Sequence, residues 1–207
     1  MSHSAMLRSL SILGIALAVA VPMASQAQDA PPVRVRGTIE RVEGDTFIVK
    51  SREGAELKVG LTDTALIVAI VKASLSDIKA NSFVGVTGMP QPDGSQRALE
   101  VHIFPEAMRG TGEGHYAWDL RPQSTMTNGN VEQSVASADG QVLTLKFKDG
   151  EKKIVVPSDT PIVGYMPGDK SELKAGVKIF IGAAKKAPDG TLQTPRVNYG
   201  RDVAPPM

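Results

Sequence analysis

The chain has 207 residues, no cysteine, and nearly balanced charges, with 23 Lys and Arg against 22 Asp and Glu. This balance removes the electrostatic basis for binding nucleic acid, because such binding requires an excess of positive charge on the protein to neutralise the phosphates. The lack of cysteine excludes disulfides, thiol catalysis and thiolate metal sites. Stability must therefore come from packing, in a chain long enough for one or two ordinary domains.

The first 27 residues have the pattern of a secretory signal peptide. Arg8 precedes an apolar run from Leu10 to Met23, and small side chains occupy positions 25 and 27, as at the cleavage sites of such leaders. The run is shorter than the roughly 20 residues that cross a bilayer. We therefore expect cleavage after Ala27, export to the periplasm, and no membrane-spanning segment in the mature protein.

The chain repeats the same turn residues at a spacing of about 96 positions. A period of this size indicates internal duplication, which sets the architecture of the whole protein. The recurring turn residues form four pairs: Gly44 and Gly140, Gly54 and Gly150, Thr64 and Thr160, and the PDG of 92–94 and 188–190.

Within each copy, apolar and polar residues alternate with a period of two, as in TFIVKS at 46–51 and VLTLKFKDG at 142–150. Together with the Gly-containing turns between them, these runs predict short antiparallel hairpins. The polar segments around Ile78 and Leu173 predict one helical turn, or a plug across the end of a barrel. Five or six short strands per copy favour a small closed barrel of the oligonucleotide/oligosaccharide-binding (OB-like) kind.

The sequence thus predicts an all-β protein of two tandem OB-like antiparallel β-barrels, related by internal duplication and joined by a long glycine-containing connector. The predicted divisions are a signal peptide at 1–27, a first barrel at 28–105, the connector at 106–129 and a second barrel at 130–207.

The strand RALEVHIF at 97–104 shows how the two faces of a strand are expected to divide. Because successive side chains of a strand point to opposite faces, Leu99, Val101 and Ile103 are predicted to face the core. Glu100 and His102 are then predicted to face solvent. In the second copy, TPRVNY carries Arg196 where the first has Glu100, and Asn198 where it has His102.

The connector interrupts the alternation for about 24 residues, and loops of this length in compact proteins are usually either functional or linkers. Its apolar side chains, such as Met108 and Leu120, require burial, so we expect the connector to pack across both barrels. The candidate residues for contact with a ligand or partner are Arg109, Tyr116, Trp118 and Arg121.

A metal site is the second interpretation of this region. The GTGEGH turn could bring acidic and imidazole side chains together, a donor set that suits divalent cations, although the spacing matches no established motif. In the alternative, structural interpretation, Glu113 and Asp119 pair with Arg109 or Arg121, and the indole of Trp118 fills the groove between the barrels. The candidate metal ligands are His102, Glu106, Glu113, His115 and Asp119.

Enzyme motifs are missing from the sequence. There is no GxSxG elbow, no phosphate-binding loop and no HExxH pair, so we expect a protein that is not an enzyme. No cofactor is expected, with a divalent metal ion as the alternative.

Two segments, VRGTIERVEGDTFIVKSREG and HIFPEAMRGTGEGH, resemble exported proteobacterial proteins that carry an OB-like β-barrel domain of unknown function. Some members of that family bear an automatic label that links them to metal ABC transport. The resemblance implies the same fold and compartment, and it supplies no catalytic residue.

These observations lead to two functional hypotheses. The first is a non-enzymatic periplasmic protein that binds an unknown protein or small molecule at the connector and the groove between the barrels. The alternative is a periplasmic metal-binding or metal-delivery protein. A purely structural role in the envelope is not separable from the first hypothesis by sequence.

Overall fold

A computed structural model describes residues 31–205, and the predicted signal peptide lies outside that range. Within it the chain forms strands and three single 3-10 turns, without an α-helix, which confirms the predicted all-β class. None of the helical segments in this range is long and apolar enough to span a bilayer. The strands are β1 Val33–Glu43, β2 Thr46–Ser51, β3 Glu56–Lys72, β4 Phe83–Pro90, β5 Gln96–Ile103, β6 Gly114–Ala117, β7 Thr125–Ser137, β8 Gly140–Phe147, β9 Gly150–Pro157, β10 Ile162–Pro167, β11 Lys178–Lys186 and β12 Leu192–Gly200.

Five strands pair in the order β1, β2, β3, β12 and β11, and β11 returns to β1, which closes a ring that we call ring A. All of these pairings are antiparallel except that of β3 with β12, which is parallel. A closed ring has no unpaired edge and encloses its alternate side chains. The core of ring A includes Phe47, Val59, Ile181 and Tyr199.

A second set of strands pairs in the order β5, β4, β7, β8 and β9, and is called ring B. It closes through a short parallel contact between β5 and β9, in which Gln96 pairs with Ile154 and Arg97 with Val155. Its core is separate from that of ring A and includes Val84, Val101, Leu145 and Ile154.

Each ring takes strands from both halves of the chain. β11 and β12, from the predicted second barrel, complete ring A, while β4 and β5, from the predicted first barrel, complete ring B. The structure therefore does not confirm two tandem barrels built from contiguous segments 28–105 and 130–207. Alternation shows which face of a strand is buried, but it does not show which strand will be its neighbour.

One antiparallel pair joins the two rings. The last residues of β3 extend beyond ring A and pair with β10, from Val68 opposite Pro167 to Lys72 opposite Val163. β10 in turn lies parallel to β5 of ring B. This junction carries the chain from one ring to the other, and it sets the spacing between β5 and β12.

The two segments predicted to form one helical turn or a plug both form a 3-10 turn. Like the strands, each contributes to a ring that includes strands from the opposite half of the chain. The turn Leu75–Asp77 precedes Ile78, which packs into the core of ring B, and the turn Lys170–Glu172 precedes Leu173, which packs into ring A.

The predicted division of strand 97–104 is wrong in two places. Ala98 pairs with Gly88 and Glu100 with Thr87, so Leu99 is the extra residue of a β-bulge and lies outside the core cluster. A bulge of this kind leaves one residue without a partner. His102, predicted to face solvent, is only 5% exposed, because β10 pairs alongside β5 and places Tyr165 against its imidazole.

The exchange of strands predicts how fragments of the protein will behave. Residues 28–105 on their own lack the partners that close either ring, so we expect this fragment to be unfolded, or to pair with a second copy of itself. Sedimentation velocity and circular dichroism of the isolated fragment check this. A folded monomer of residues 28–105 would show that the first half is an independent barrel after all.

Candidate ligand-binding site

A cavity of about 370 Å³ lies between the two rings and is called the central cavity. Strands β5 and β7 of ring B, β11 and β12 of ring A, and the linking strands β6 and β10 all contribute to its lining. Its volume falls in the range of roughly 300–1,000 Å³ that small-molecule sites occupy.

The aromatic side chains of the protein are concentrated in the lining of this cavity. Five of the nine Phe, Tyr and Trp residues of the chain take part. Two of the rings are stacked with 5.0 Å between centroids, and the other three meet edge to face at 6.2 and 6.4 Å. The stacked pair is Phe104 and Tyr165, and the edge-to-face contacts run from Tyr116 to Trp118 to Phe180.

A buried hydrogen-bonded chain forms one polar corner of the cavity. The hydroxyl of Tyr165 lies 3.1 Å from Nδ1 of His102, and Nε2 of His102 contacts the carboxylate of Glu100. Burial, followed by the negative charge of Glu100, raises the pKa of Tyr165. The phenol therefore stays protonated, and each ring nitrogen of His102 has a hydrogen-bonding partner, Tyr165 on one side and Glu100 on the other.

A second polar group lies on the side of ring A. Arg196 donates from Nε to Oδ1 of Asn198 at 3.2 Å and directs Nη2 at the sulfur of Met108 at 3.1 Å. Asn198 is itself held by donating to the carbonyl of Phe180 at 3.1 Å. Arg196 is the one residue lining the central cavity, among those that the structure describes, with a permanent charge.

The connector covers the cavity as a short hairpin. β6 pairs with the start of β7, from Gly114 opposite Asn128 to Ala117 opposite Thr125. The following turn is closed by the N–H of Trp118, which donates to the carbonyl of Ser124 at 2.8 Å. This turn directs the indole toward ring A, so the connector contacts both rings.

Two arginines on β1 hold this hairpin against ring A. Arg36, which is 7% exposed, makes a bidentate pair with Asp119 at 3.0 and 2.7 Å, and Arg34 reaches the same carboxylate at 3.3 Å. The guanidinium of Arg34 also lies 4.2 Å from the ring centroid of Trp118, a favourable cation–π contact. Asp119 thus pairs with Arg34 and Arg36. The prediction that it pairs with Arg109 or Arg121 is wrong.

The pKa of Asp119 reflects this contact. Burial by itself would raise the pKa of its carboxyl group, but hydrogen bonds and charge from Arg36, supplemented by Arg34, outweigh burial and lower it. Asp119 is therefore ionised whenever the hairpin is docked at neutral pH.

Two of the four predicted ligand-contact residues, Tyr116 and Trp118, line the central cavity. Arg109 instead pairs with the carboxylate of Glu106 at 2.6 Å and donates to the carbonyl of Asn81 at 3.0 Å. Arg121 is exposed on the turn, where its backbone N–H donates to the hydroxyl of Ser124 at 3.0 Å. These two arginines help to order the connector.

The five predicted metal ligands are not brought together. Within residues 31–205 the structure contains no group of three His, Asp or Glu side chains placed to share a cation. His102 contacts Glu100 and Tyr165, Glu106 pairs with Arg109, Asp119 pairs with arginines, and Glu113 is exposed. The metal hypothesis stays a prediction without support from this geometry.

The fifth of those residues, His115, has structural contacts of its own. Its Nδ1 lies 2.8 Å from the hydroxyl of Thr127, and its ring stacks against Phe147 at 6.4 Å. Burial, and then the positive charge of Lys152, lower the pKa of His115. The imidazole is therefore neutral at pH 7 and anchors β6 to β7.

Sequence reasoning missed several lining residues, because they come from strands far apart in the chain. One signal was available: with only nine aromatic residues in the chain, any that a strand does not need for its core are candidates for a site. The lining residues that were missed include Phe104, Asn128, Tyr165, Phe180 and Arg196.

The chain matches no protein-family model, no curated protein and no solved structure. The resemblance to the exported family therefore stays a prediction, and the function has to be argued from the central cavity.

The contact between Arg36 and Asp119 predicts a loss of stability in Asp119→Asn. This change leaves a buried guanidinium without its counter-charge, which we expect to lower the free energy of unfolding by about 1–3 kcal/mol. Urea unfolding followed by circular dichroism measures the difference, with Asp63→Asn, at an exposed position, as the matched control. Equal losses in both variants would contradict the proposed contact.

The same pair predicts a dependence on pH. Since the pKa of Asp119 is lowered in the folded state, its contribution is complete above the unfolded pKa of about 3.9 and disappears as pH falls through the folded value. The stability gap between the wild type and Asp119→Asn should therefore be smaller at pH 3 than at pH 7. A gap that does not change over this range would be evidence against the ion pair.

Proposed function

We propose that this is a non-enzymatic, exported binding protein that holds a small apolar molecule in the central cavity. The observation that carries the proposal is the collection of five of the nine aromatic side chains around one cavity of about 370 Å³. A ligand there would remove apolar surface from water, which is the main driving force for binding in such sites.

Binding is favoured over catalysis by the state of the polar groups. Both ring nitrogens of His102 already have partners, Glu100 and Tyr165, so the imidazole is not free to act as a base toward a substrate. The phenol of Tyr165 is kept protonated by burial. These groups are suited to hold the shape of the site.

We also propose that rings A and B are OB-like units that arose by internal duplication. The two PDG turns, at 92–94 and 188–190, precede β5 and β12, whose first residues Gln96 and Leu192 are also 96 positions apart. Ile78, from the first half of the chain, packs in ring B, which takes β7, β8 and β9 from the second half. Leu173, from the second half, packs in ring A, which takes β1, β2 and β3 from the first half. This reciprocal exchange supports two copies of one unit that have traded strands.

The test uses a neutral apolar dye, N-phenyl-1-naphthylamine, and the purified protein. Trp118 is the only tryptophan and lines the cavity, so energy transfer from its indole to the bound dye reports occupancy directly. We expect saturable binding to the wild type.

Gly182→Leu is the variant that fills the cavity. A Cβ at Gly182 would lie 3.9 Å from the nearest atom, on the ring of Phe180, so the larger side chain can enter the cavity without a clash with the backbone. We expect Gly182→Leu to weaken dye binding at least tenfold at an unchanged melting temperature, and Gly182→Ala to retain most of the affinity. Equal binding by the leucine variant, or no binding by the wild type, would overturn the proposal.

A further inference from the structure

We propose that the ligand of the central cavity carries a carboxylate group, which binds the guanidinium of Arg196, attached to an apolar body. This inference rests on the proposed function and names the chemical class of its ligand. It is carried by the position and the partners of Arg196.

Arg196 has only weak partners. Its guanidinium contacts the amide oxygen of Asn198 at 3.2 Å and the thioether sulfur of Met108 at 3.1 Å, and both partners are uncharged. No ion pair joins Arg196 to a carboxylate within residues 31–205, whereas Arg36 and Arg201 pair with Asp119 and Glu172.

A cation beside apolar walls without a counter-charge is unfavourable, because burial removes part of its hydration and uncharged partners replace only some of that interaction. Arg196 is partly buried and shares the cavity with the aromatic rings. A ligand carboxylate would restore both the charge balance and the pair of parallel hydrogen bonds that guanidinium groups make with carboxylates.

The charge of the lining indicates one negative charge on the ligand. Among the described residues that line the central cavity, Arg196 is accompanied by no Lys, Asp or Glu and by no second Arg. The nearby acid, Glu100, faces His102 and lines a different cavity. A single cation matches a monoanion such as a carboxylate better than a phosphate dianion, which is usually held by several donors or charges.

The remainder of the lining determines the body of the ligand. The stacked rings of Phe104 and Tyr165 and the edge-to-face group around Trp118 offer apolar surface. The arginines that pack on the Trp118 group, Arg34 and Arg36, are already paired with Asp119. The structure therefore assigns an apolar carboxylic acid, with an aromatic or aliphatic body.

Isothermal titration calorimetry of the purified protein tests this with matched probes. The acids are 1-naphthoate and decanoate, and their neutral partners are 1-naphthamide and 1-decanol. We expect at least one acid to bind about tenfold or more tightly than its neutral partner, since charge-assisted hydrogen bonds are the stronger ones. The preference should fall as salt concentration rises.

Arg196→Gln is the decisive variant, with Arg52→Gln, at an exposed position, as its control. We expect Arg196→Gln to bind each acid and its neutral partner equally, and Arg52→Gln to keep the preference. Should Arg196→Gln fail to fold, Arg196→Lys keeps the charge without the planar fork and should retain part of the preference.

The outcomes separate the two proposals. If the neutral probes bind the wild type as tightly as the acids, the carboxylate inference is overturned while the cavity remains a binding site. An acid preference that survives in Arg196→Gln would also overturn it. If none of the four probes binds, and the dye does not bind either, both proposals fail.

Discussion

The antiparallel pairing of β3 with β10 is the contact on which the arrangement of the two rings depends. β3 belongs to ring A through its pairings with β2 and β12, and its last residues extend to β10, which lies beside β5 of ring B. Because backbone hydrogen bonds fix register as well as distance, this junction determines where β5 and β12 lie. The central cavity lies between these two strands, with the connector on one side of it.

The connector depends on the same junction, since it must reach both rings at once. β6 adds to β7 of ring B, while Trp118 and Asp119 contact Arg34 and Arg36 on β1 of ring A. The residues that dock the hairpin are thus different from those that line the cavity, apart from Trp118. Stability and binding can therefore be altered separately, by substitutions at Asp119 and at Gly182.

Strands β5 and β12 contribute different chemistry to the region of the cavity. β5 brings Glu100 and His102, which contact each other, with Tyr165 on the other ring nitrogen of His102, and β12 brings Arg196 and Asn198, 96 positions later in the sequence. The polar groups of β5 have hydrogen-bond partners of their own, whereas the guanidinium of Arg196 has only uncharged partners. The cavity therefore has one polar corner that is internally satisfied and one cation.

The sequence by itself determined the all-β class, the turns, and the single helical turns before Ile78 and Leu173, because period and turn chemistry are local properties. Its choice of Tyr116 and Trp118 as ligand contacts stays a prediction, and both residues line the central cavity. It mispredicted the exposure of His102 and the partners of Asp119, and it did not reveal Arg196 as part of a site. Those features depend on which strands pair, and the strands of one ring come from opposite ends of the chain. Only the tertiary structure decides such pairing, since alternation marks the buried face of a strand and leaves its neighbour unspecified.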